Sequence, residues 1–149
     1  ETLGDLVGCG ADGLVLFNRF YAPDLDIERL QVVAGPAFSA PEEMHLTLRA
    51  VAQLSGQLRC DIAASTGIHD GAAVIKQLLA GAQVVQVAST LYRGGIDELR
   101  MINDDIAAWM QRRELKSIKG FRGRMSHDAW PGGSAYDRVQ FMKRSVGQH

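Results

Sequence analysis

The sequence predicts an α/β fold built on a parallel sheet, and one pattern that occurs twice is the main reason. Cys9-Gly10-Ala11-Asp12-Gly13 runs into apolar Leu14-Val15-Leu16-Phe17 and stops at Asn18. Ala80-Gly81-Ala82-Gln83-Val84 runs into Val85-Gln86-Val87 and stops at Ala88-Ser89-Thr90. Each copy reads as a helix end, a Gly-Ala turn, a short strand and then small or polar residues, the β/α repeat of a parallel sheet or barrel. The apolar runs are continuous rather than alternating, as expected of strands buried on both faces. Ligands of such folds gather at the carboxyl ends of the strands, so the repeat also says where a site would lie.

The elements follow in order. Thr2 to Val7 reads as the last turns of a helix leading into the strand Leu14–Phe17. Asn18 to Phe38 is long for a connection. Tyr21-Ala22-Pro23-Asp24 carries a turn signal, and Asp26-Ile27-Glu28 and Leu30-Gln31-Val32 alternate like a small exposed hairpin. Insertions of this kind are lids, binding loops or subunit contacts. Ser39-Ala40-Pro41-Glu42 reads as a capping box with an early proline. It opens a helix with Met44, Leu48, Val51, Ala52 and Leu54 on its apolar face, ended by Gly56. The next strand is Cys60 to Ala64, followed by a turn over 65–70 in which Asp70 or His69 caps a helix from Ala72 to Leu79. Gly81 closes that helix, and Val84 to Val87 is the third strand. The longest helix, Ile96 to Glu114, has the stripe Leu99, Ile102, Ile106, Trp109-Met110. Leu115 to His149 is irregular or weakly helical, with a break at Pro131-Gly132-Gly133-Ser134. The order is α-β-α-β-α-β-α.

Three parallel strands do not close a barrel, and a (β/α)8 barrel takes about 250 residues. With 149 residues the chain is either a small open sheet or the last part of a barrel. An incomplete barrel exposes apolar strand edges unless something covers them. A separate or missing amino-terminal piece, or a tight oligomer, is therefore expected, the more so because the chain opens on Glu1 and not on Met.

Composition excludes several classes. Apolar residues make up 46% and charged residues 22%, ordinary for a globular protein. No apolar run approaches the ~20 residues of a membrane helix, so no membrane partner is expected. Nor does the start carry a signal peptide's basic flank and apolar core. Cys9 and Cys60 have no framework or metal spacing and read as reduced thiols of a cytoplasmic protein. Residues 1–114 carry 9 Lys+Arg against 15 Asp+Glu, and residues 115–149 carry 7 against 2. The tail lacks interleaved aromatics, so it is expected to lie on the acidic body rather than on nucleic acid.

Two strand ends carry small and hydroxyl residues: Ala63-Ala64-Ser65-Thr66-Gly67, and Ala88-Ser89-Thr90 followed by Gly94-Gly95. Small residues let a phosphate approach the backbone, where N–H groups at a turn or helix start bind it. In barrels the loops after strands seven and eight frequently form such a site. Ser65, Thr66, Gly67, Ala88 and Ser89 are accordingly the candidate phosphate residues. Asn18, at the first strand's end, can donate to and accept from a planar ligand. Arg19 and Arg93 follow strand ends as weaker candidates. His45, His69, His127 and His149 have no ligand spacing, so no metal is expected. Ser65 and Ser89 lie in no G-x-S-x-G elbow. No catalytic acid, base or nucleophile is visible.

Taken together, Gly10 to Asn18, Ala64-Ser65-Thr66-Gly67-Ile68 and Ala80-Gly81-Ala82 through Val85-Gln86-Val87-Ala88-Ser89 resemble the carboxyl half of dihydroorotate dehydrogenases. More closely, the chain is similar to the bacterial dihydroorotate dehydrogenase-like proteins. That group shares the segment Asn18 to Asp24 and the tail pattern Trp109-Met110, Gly123-x-Met125-Ser126 and Phe141-Met142-Lys143. The resemblance covers nearly all of the chain and implies a (β/α)8 barrel holding FMN. The three strands would be the sixth, seventh and eighth. Residues 1–114 would form the last three β/α units and 115–149 a basic tail packed on them. The family's Gly-Gly loop corresponds to Thr66-Gly67 and its Gly-Thr/Ser to Ala88-Ser89, both cradling the FMN phosphate. Asn18 would stand near flavin and substrate. Thr66 and Ala88 replace family glycines. The family's catalytic base, flavin-contacting lysine and other substrate asparagines would lie upstream of residue 1.

The resemblance implies an FMN-dependent oxidoreductase acting on CH–CH groups, which oxidises a small dihydropyrimidine-like molecule. The 149-residue piece is expected to be inactive alone. Its partners would be that small-molecule substrate and either a homo-oligomer or the amino-terminal half of the same barrel. A non-redox phosphate-binding barrel enzyme (an isomerase or aldolase) and a non-catalytic decayed barrel are the alternatives.

Overall fold

Gly10, at φ +99°, turns the chain out of helix α1 (Thr2–Gly8) and into strand β1 (Gly13–Leu16). A positive φ is open to glycine at no steric cost, which is why the Gly-Ala turn precedes the strand. The computed structural model describes residues 2–20 and 22–131. Beyond β1 the order is β2 (Pro23–Asp26), β3 (Gln31–Ala34), a 3-10 turn (Pro41–Glu43), α2 (Met44–Leu54), β4 (Asp61–Ala64) and α3 (Gly71–Ala80). Then come β5 (Val84–Val85), α4 (Ser89–Gly94), α5 (Asp97–Arg112) and a second 3-10 turn (Ile118–Gly120).

The three β/α strands form one parallel sheet in the order β1-β4-β5. Leu14 pairs with Ile62, Leu16 with Ala64, and Ala64 with Val85. These residues share one face, and Leu16, Ile62 and Ala64 on it are almost completely buried. Helices α2, α3 and α5 supply the rest of that core through Met44, Val51, Ala52, Val74, Leu78 and Ile102. Each fully buried aliphatic side chain of Leu or Ile size stabilises the fold by roughly 1.5–3 kcal/mol.

The other face differs from the expectation of strands buried on both sides. Val15, Ala63 and Val84 lie in register across it, and Val15 and Val84 are 52% and 55% exposed. The reason is topological. The connecting helices cover one face of the sheet, and among the described residues nothing covers the other.

Helix α3 starts and stops as its sequence predicts. The Asp70 carboxylate accepts from Ala73 N–H at 2.7 Å, a cap that contributes about 1 kcal/mol. Gly81, at φ +120°, closes the helix. The start of α2 corrects the predicted capping box by one residue. Ala40 is the N-cap of the 3-10 turn, and Glu43 reaches back to accept from Ala40 N–H at 2.7 Å. Ser39 is left outside the helix.

The 18–38 segment does hold a hairpin, displaced from the predicted strands. Leu25 pairs with Val32 and Asp26 with Gln31, so 27–30 is the turn. The Asp26 carboxylate builds it by accepting from Glu28 and Arg29 N–H at 3.0 and 2.9 Å. Tyr21, part of the turn read there, lies outside the described residues.

Residues 115–131 run back over α2 and α3. Gly123 and Met125 N–H donate to Leu78 and Leu79 carbonyls, both at 2.9 Å, and His127 N–H donates to Ala52 O at 2.8 Å. Phe121 is buried edge-on against Trp109, with ring centroids 5.0 Å apart. The Pro131–Ser134 break beyond Pro131, the 141–143 tail pattern and His149 lie outside the described residues. Among the described residues no helix is long and apolar enough to cross a membrane.

Candidate functional site

Four chain segments meet at the carboxyl end of the sheet around a cleft of about 330 Å³. Asn18, Ser65, Thr66, Gly67, Ala88 and Ser89, the six residues selected from the sequence, all line it. They come from the ends of β1, β4 and β5 and reach one place because the strands are parallel and in register.

The loop after β4 is the most constrained part. Ser65 N–H donates to Leu16 O at 2.7 Å, continuing the ladder one residue past β4. Its carbonyl accepts from the Thr47 hydroxyl at 2.9 Å. Thr66 and Gly67 then both take positive φ, +77° and +73°. Such a φ is costly for a β-branched residue. The Thr66 hydroxyl donates to Phe17 O at 2.9 Å, tying the ends of β4 and β1 together. Gly67 is required twice over, since a Cβ there would overlap the Met44 backbone nitrogen. Ala88, at φ −133°, sits in a conformation that needs no glycine. Position 66 thus carries a backbone demand that glycine meets freely, and position 88 does not.

Ser39 is a member of this cleft that sequence reasoning assigned to a helix cap instead. It is 5% exposed. Its N–H donates to Ser89 Oγ at 3.0 Å, its hydroxyl lies 3.0 Å from the same oxygen, and it accepts from Gly67 N–H at 3.3 Å. The only signal was a second hydroxyl residue just before a proline-led helix, and that is equally the signal of a cap.

Arg19 also lines the cleft, but its guanidinium is engaged. It donates to Glu43 at 2.8 Å and to Pro36 O. This guanidinium first, and the Ala40 N–H second, hold the Glu43 carboxyl below the usual carboxylate range. Arg93 instead lies over the Phe38 ring, 5.6 Å from its centroid, while Tyr92 stacks obliquely on the same ring. Both arginines therefore anchor the 35–39 segment. A smaller hollow of about 260 Å³ adjoins the cleft and shares Asn18, Arg19 and Thr66 with it.

The cleft's donor set suits an anion. The hydroxyl residues Ser39, Ser65, Thr66 and Ser89 line it, and Arg19 is its charged member. No carboxylate lines it among the described residues. Nor do three or more His, Cys, Asp or Glu side chains gather anywhere among the described residues as a metal site would require.

No family model matches the sequence. The catalytic subunit of dihydroorotate dehydrogenase B (NAD(+)) from Pyrococcus abyssi is 28% identical over 117 residues, 76% of this chain and 39% of that protein. Its counterpart from Pyrococcus furiosus is 29% identical over 116 residues, again 76% of this chain and 39% of that protein. The chain thus spans about two fifths of the length of the curated relatives it matches. Among solved structures, the dihydroorotate dehydrogenase of Eimeria tenella in complex with ferulenol superposes with a TM-score of 0.66 at 22% identity. That match covers 84% of this chain and 34% of that one. In sequence and in its parallel α/β fold the chain is therefore dihydroorotate dehydrogenase-like.

Proposed function

We propose that this chain is the carboxyl-terminal part of an FMN-dependent oxidoreductase of the dihydroorotate dehydrogenase-like type. β1, β4 and β5 would be strands six, seven and eight of its (β/α)8 barrel. On this reading residues 1–114 form the last three β/α units, and the basic segment 115–149 lies over their helices. The observation that carries it is the convergence of Asn18, Ser65, Thr66, Gly67, Ala88 and Ser89 on one carboxylate-free cleft at the strand ends.

The flavin, when bound, supplies the two-electron chemistry that oxidises a dihydropyrimidine-like substrate. This chain's residues bind and orient. The Ser65 and Ser89 hydroxyls and the Thr66, Ala88 and Ser89 N–H groups would hold the phosphate, and Gly67 would supply the turn that lets it approach the backbone. Arg19, ion-paired with Glu43, would bound the phosphate at the rim. Asn18, shared between the cleft and the adjoining hollow, positions the planar substrate through its amide. No residue described above moves the substrate proton. That work falls to the other part of the barrel, so the 149-residue chain has no activity alone. The remaining partners are the small-molecule substrate and the amino-terminal barrel half, or a second copy in a homo-oligomer, in the cytoplasm.

The visible absorption spectrum of the purified natural protein tests this reading. An oxidised-flavin double band is expected, with FMN released on denaturation and bleaching on anaerobic addition of a dihydropyrimidine. A protein that is colourless and stays colourless with added FMN would overturn it.

A further inference from the structure

Behind the cleft, His69 is held at both ring nitrogens by hydroxyls. Its Nδ1 lies 3.1 Å from Thr90 Oγ1 and its Nε2 lies 3.3 Å from Ser39 Oγ. The proton positions follow by counting. The Thr90 hydroxyl has one hydrogen and donates it to Ile68 O at 2.8 Å. Thr90 Oγ1 can therefore only accept from His69, so Nδ1 carries a proton. In neutral His69 the Nε2 is then an acceptor, and it takes the Ser39 hydroxyl hydrogen. Ser39 Oγ, 3.0 Å from Ser89 Oγ, in turn accepts the Ser89 hydrogen, which is drawn away from the cleft. When His69 takes a second proton, Nε2 becomes a donor to Ser39 Oγ. The Ser39 hydrogen then turns to Ser89 Oγ, and the Ser89 hydrogen is released toward the cleft that Ser89 lines.

We propose that His69 is a positioning residue of the anion site: its second proton reverses the Ser39–Ser89 hydroxyl pair and aims Ser89 Oγ–H at the bound phosphate. Phosphate binding and proton uptake by His69 are then reciprocally coupled. The inference rests on the phosphate reading of the cleft. The charges facing His69 come from several elements. Glu43 acts on it from the 3-10 turn. Glu42, His45 of α2, Asp70 and Lys76 of α3 line a hollow that His69 shares. Of these Asp70 is committed to the Ala73 N–H and Glu43 to Arg19.

The test follows His69 by long-range nitrogen–proton NMR of the full chain, with FMN, riboflavin or inorganic phosphate as probes. The ligand-free neutral ring is expected as the Nδ1–H tautomer; an Nε2–H tautomer overturns the proposal before any ligand is added. FMN is expected to raise the His69 titration midpoint, while riboflavin, which lacks the phosphate, leaves it in place. FMN affinity should rise about five- to tenfold from pH 8.5 to 6.5, the effect of one added hydrogen-bond donor. His69→Gln should flatten that slope. Ser89→Ala, which keeps the backbone N–H, should flatten it as well. A slope that survives in Ser89→Ala is through-space charge alone and overturns the hydroxyl relay. A natural protein that takes up no FMN refutes the flavin reading by itself. The relay is then read from inorganic phosphate, where an unmoved His69 midpoint refutes it too.

Discussion

Thr66 holds φ at +77°, a conformation that costs an L-residue roughly 1–2 kcal/mol. Its hydroxyl offsets about 1 kcal/mol of that by donating to Phe17 O. The two terms separate in a pair of variants. Thr66→Ala keeps the strained φ and loses the bond, so it should destabilise by about 1 kcal/mol. Thr66→Gly loses the bond and the strain together and should fall within about 1 kcal/mol of the parent. Urea unfolding of both variants checks this. A Thr66→Ala protein as stable as Thr66→Gly would mean the backbone at 66 relaxes and stores nothing. The Thr66 side chain is used to tie two strand ends together, and the N–H groups of the loop are unaffected by it.

Helix α3 carries a second local conflict. Gln77 is fully buried, and its Oε1 and Nε2 have no hydrogen-bond partner among the described residues. A buried amide without a partner costs about 1–3 kcal/mol, so Gln77→Met, close in length and free of donors, should raise the urea midpoint without changing the slope. A lower midpoint would show that the amide is satisfied in solution. Much of α3 was legible in the sequence, because a cap at Asp70 and a glycine at 81 bracket it. The burial of Gln77 was not, since a glutamine at that position reads as polar surface. Elements without such brackets were read less well. The hairpin slipped because Pro23-Asp24 looks like a turn, whereas proline is also tolerated in an edge strand such as β2. Helix α4 has six residues, too few for a periodic stripe. The candidate site was legible at its strand ends, where small and hydroxyl residues cluster. Ser39 and His69 were hidden, since they meet each other across 30 residues of sequence and Ser39 meets Ser89 across 50.

At the scale of the whole molecule the row Val15–Ala63–Val84 is the informative feature. A parallel sheet with helices on one face leaves the other face to whatever completes the fold. In a closed barrel that face is filled by layers of inward side chains. The two states make opposite demands on Val15. In the 149-residue chain Val15 is half exposed, and Val15→Asp should shift stability by less than about 1 kcal/mol. In the complete barrel that we propose, the same carboxylate would be enclosed among apolar neighbours without a partner. It should then cost more than about 3 kcal/mol and lower the flavin content with it. Unfolding curves of the chain and of the natural protein, each with and without Val15→Asp, decide between them. A small effect in both would mean that this face stays open to water and that the sheet is not part of a closed barrel. A large effect in both would mean that the chain already buries the face by self-association. Repeating the measurement at several protein concentrations would expose that, because the stability of an associating chain rises with concentration.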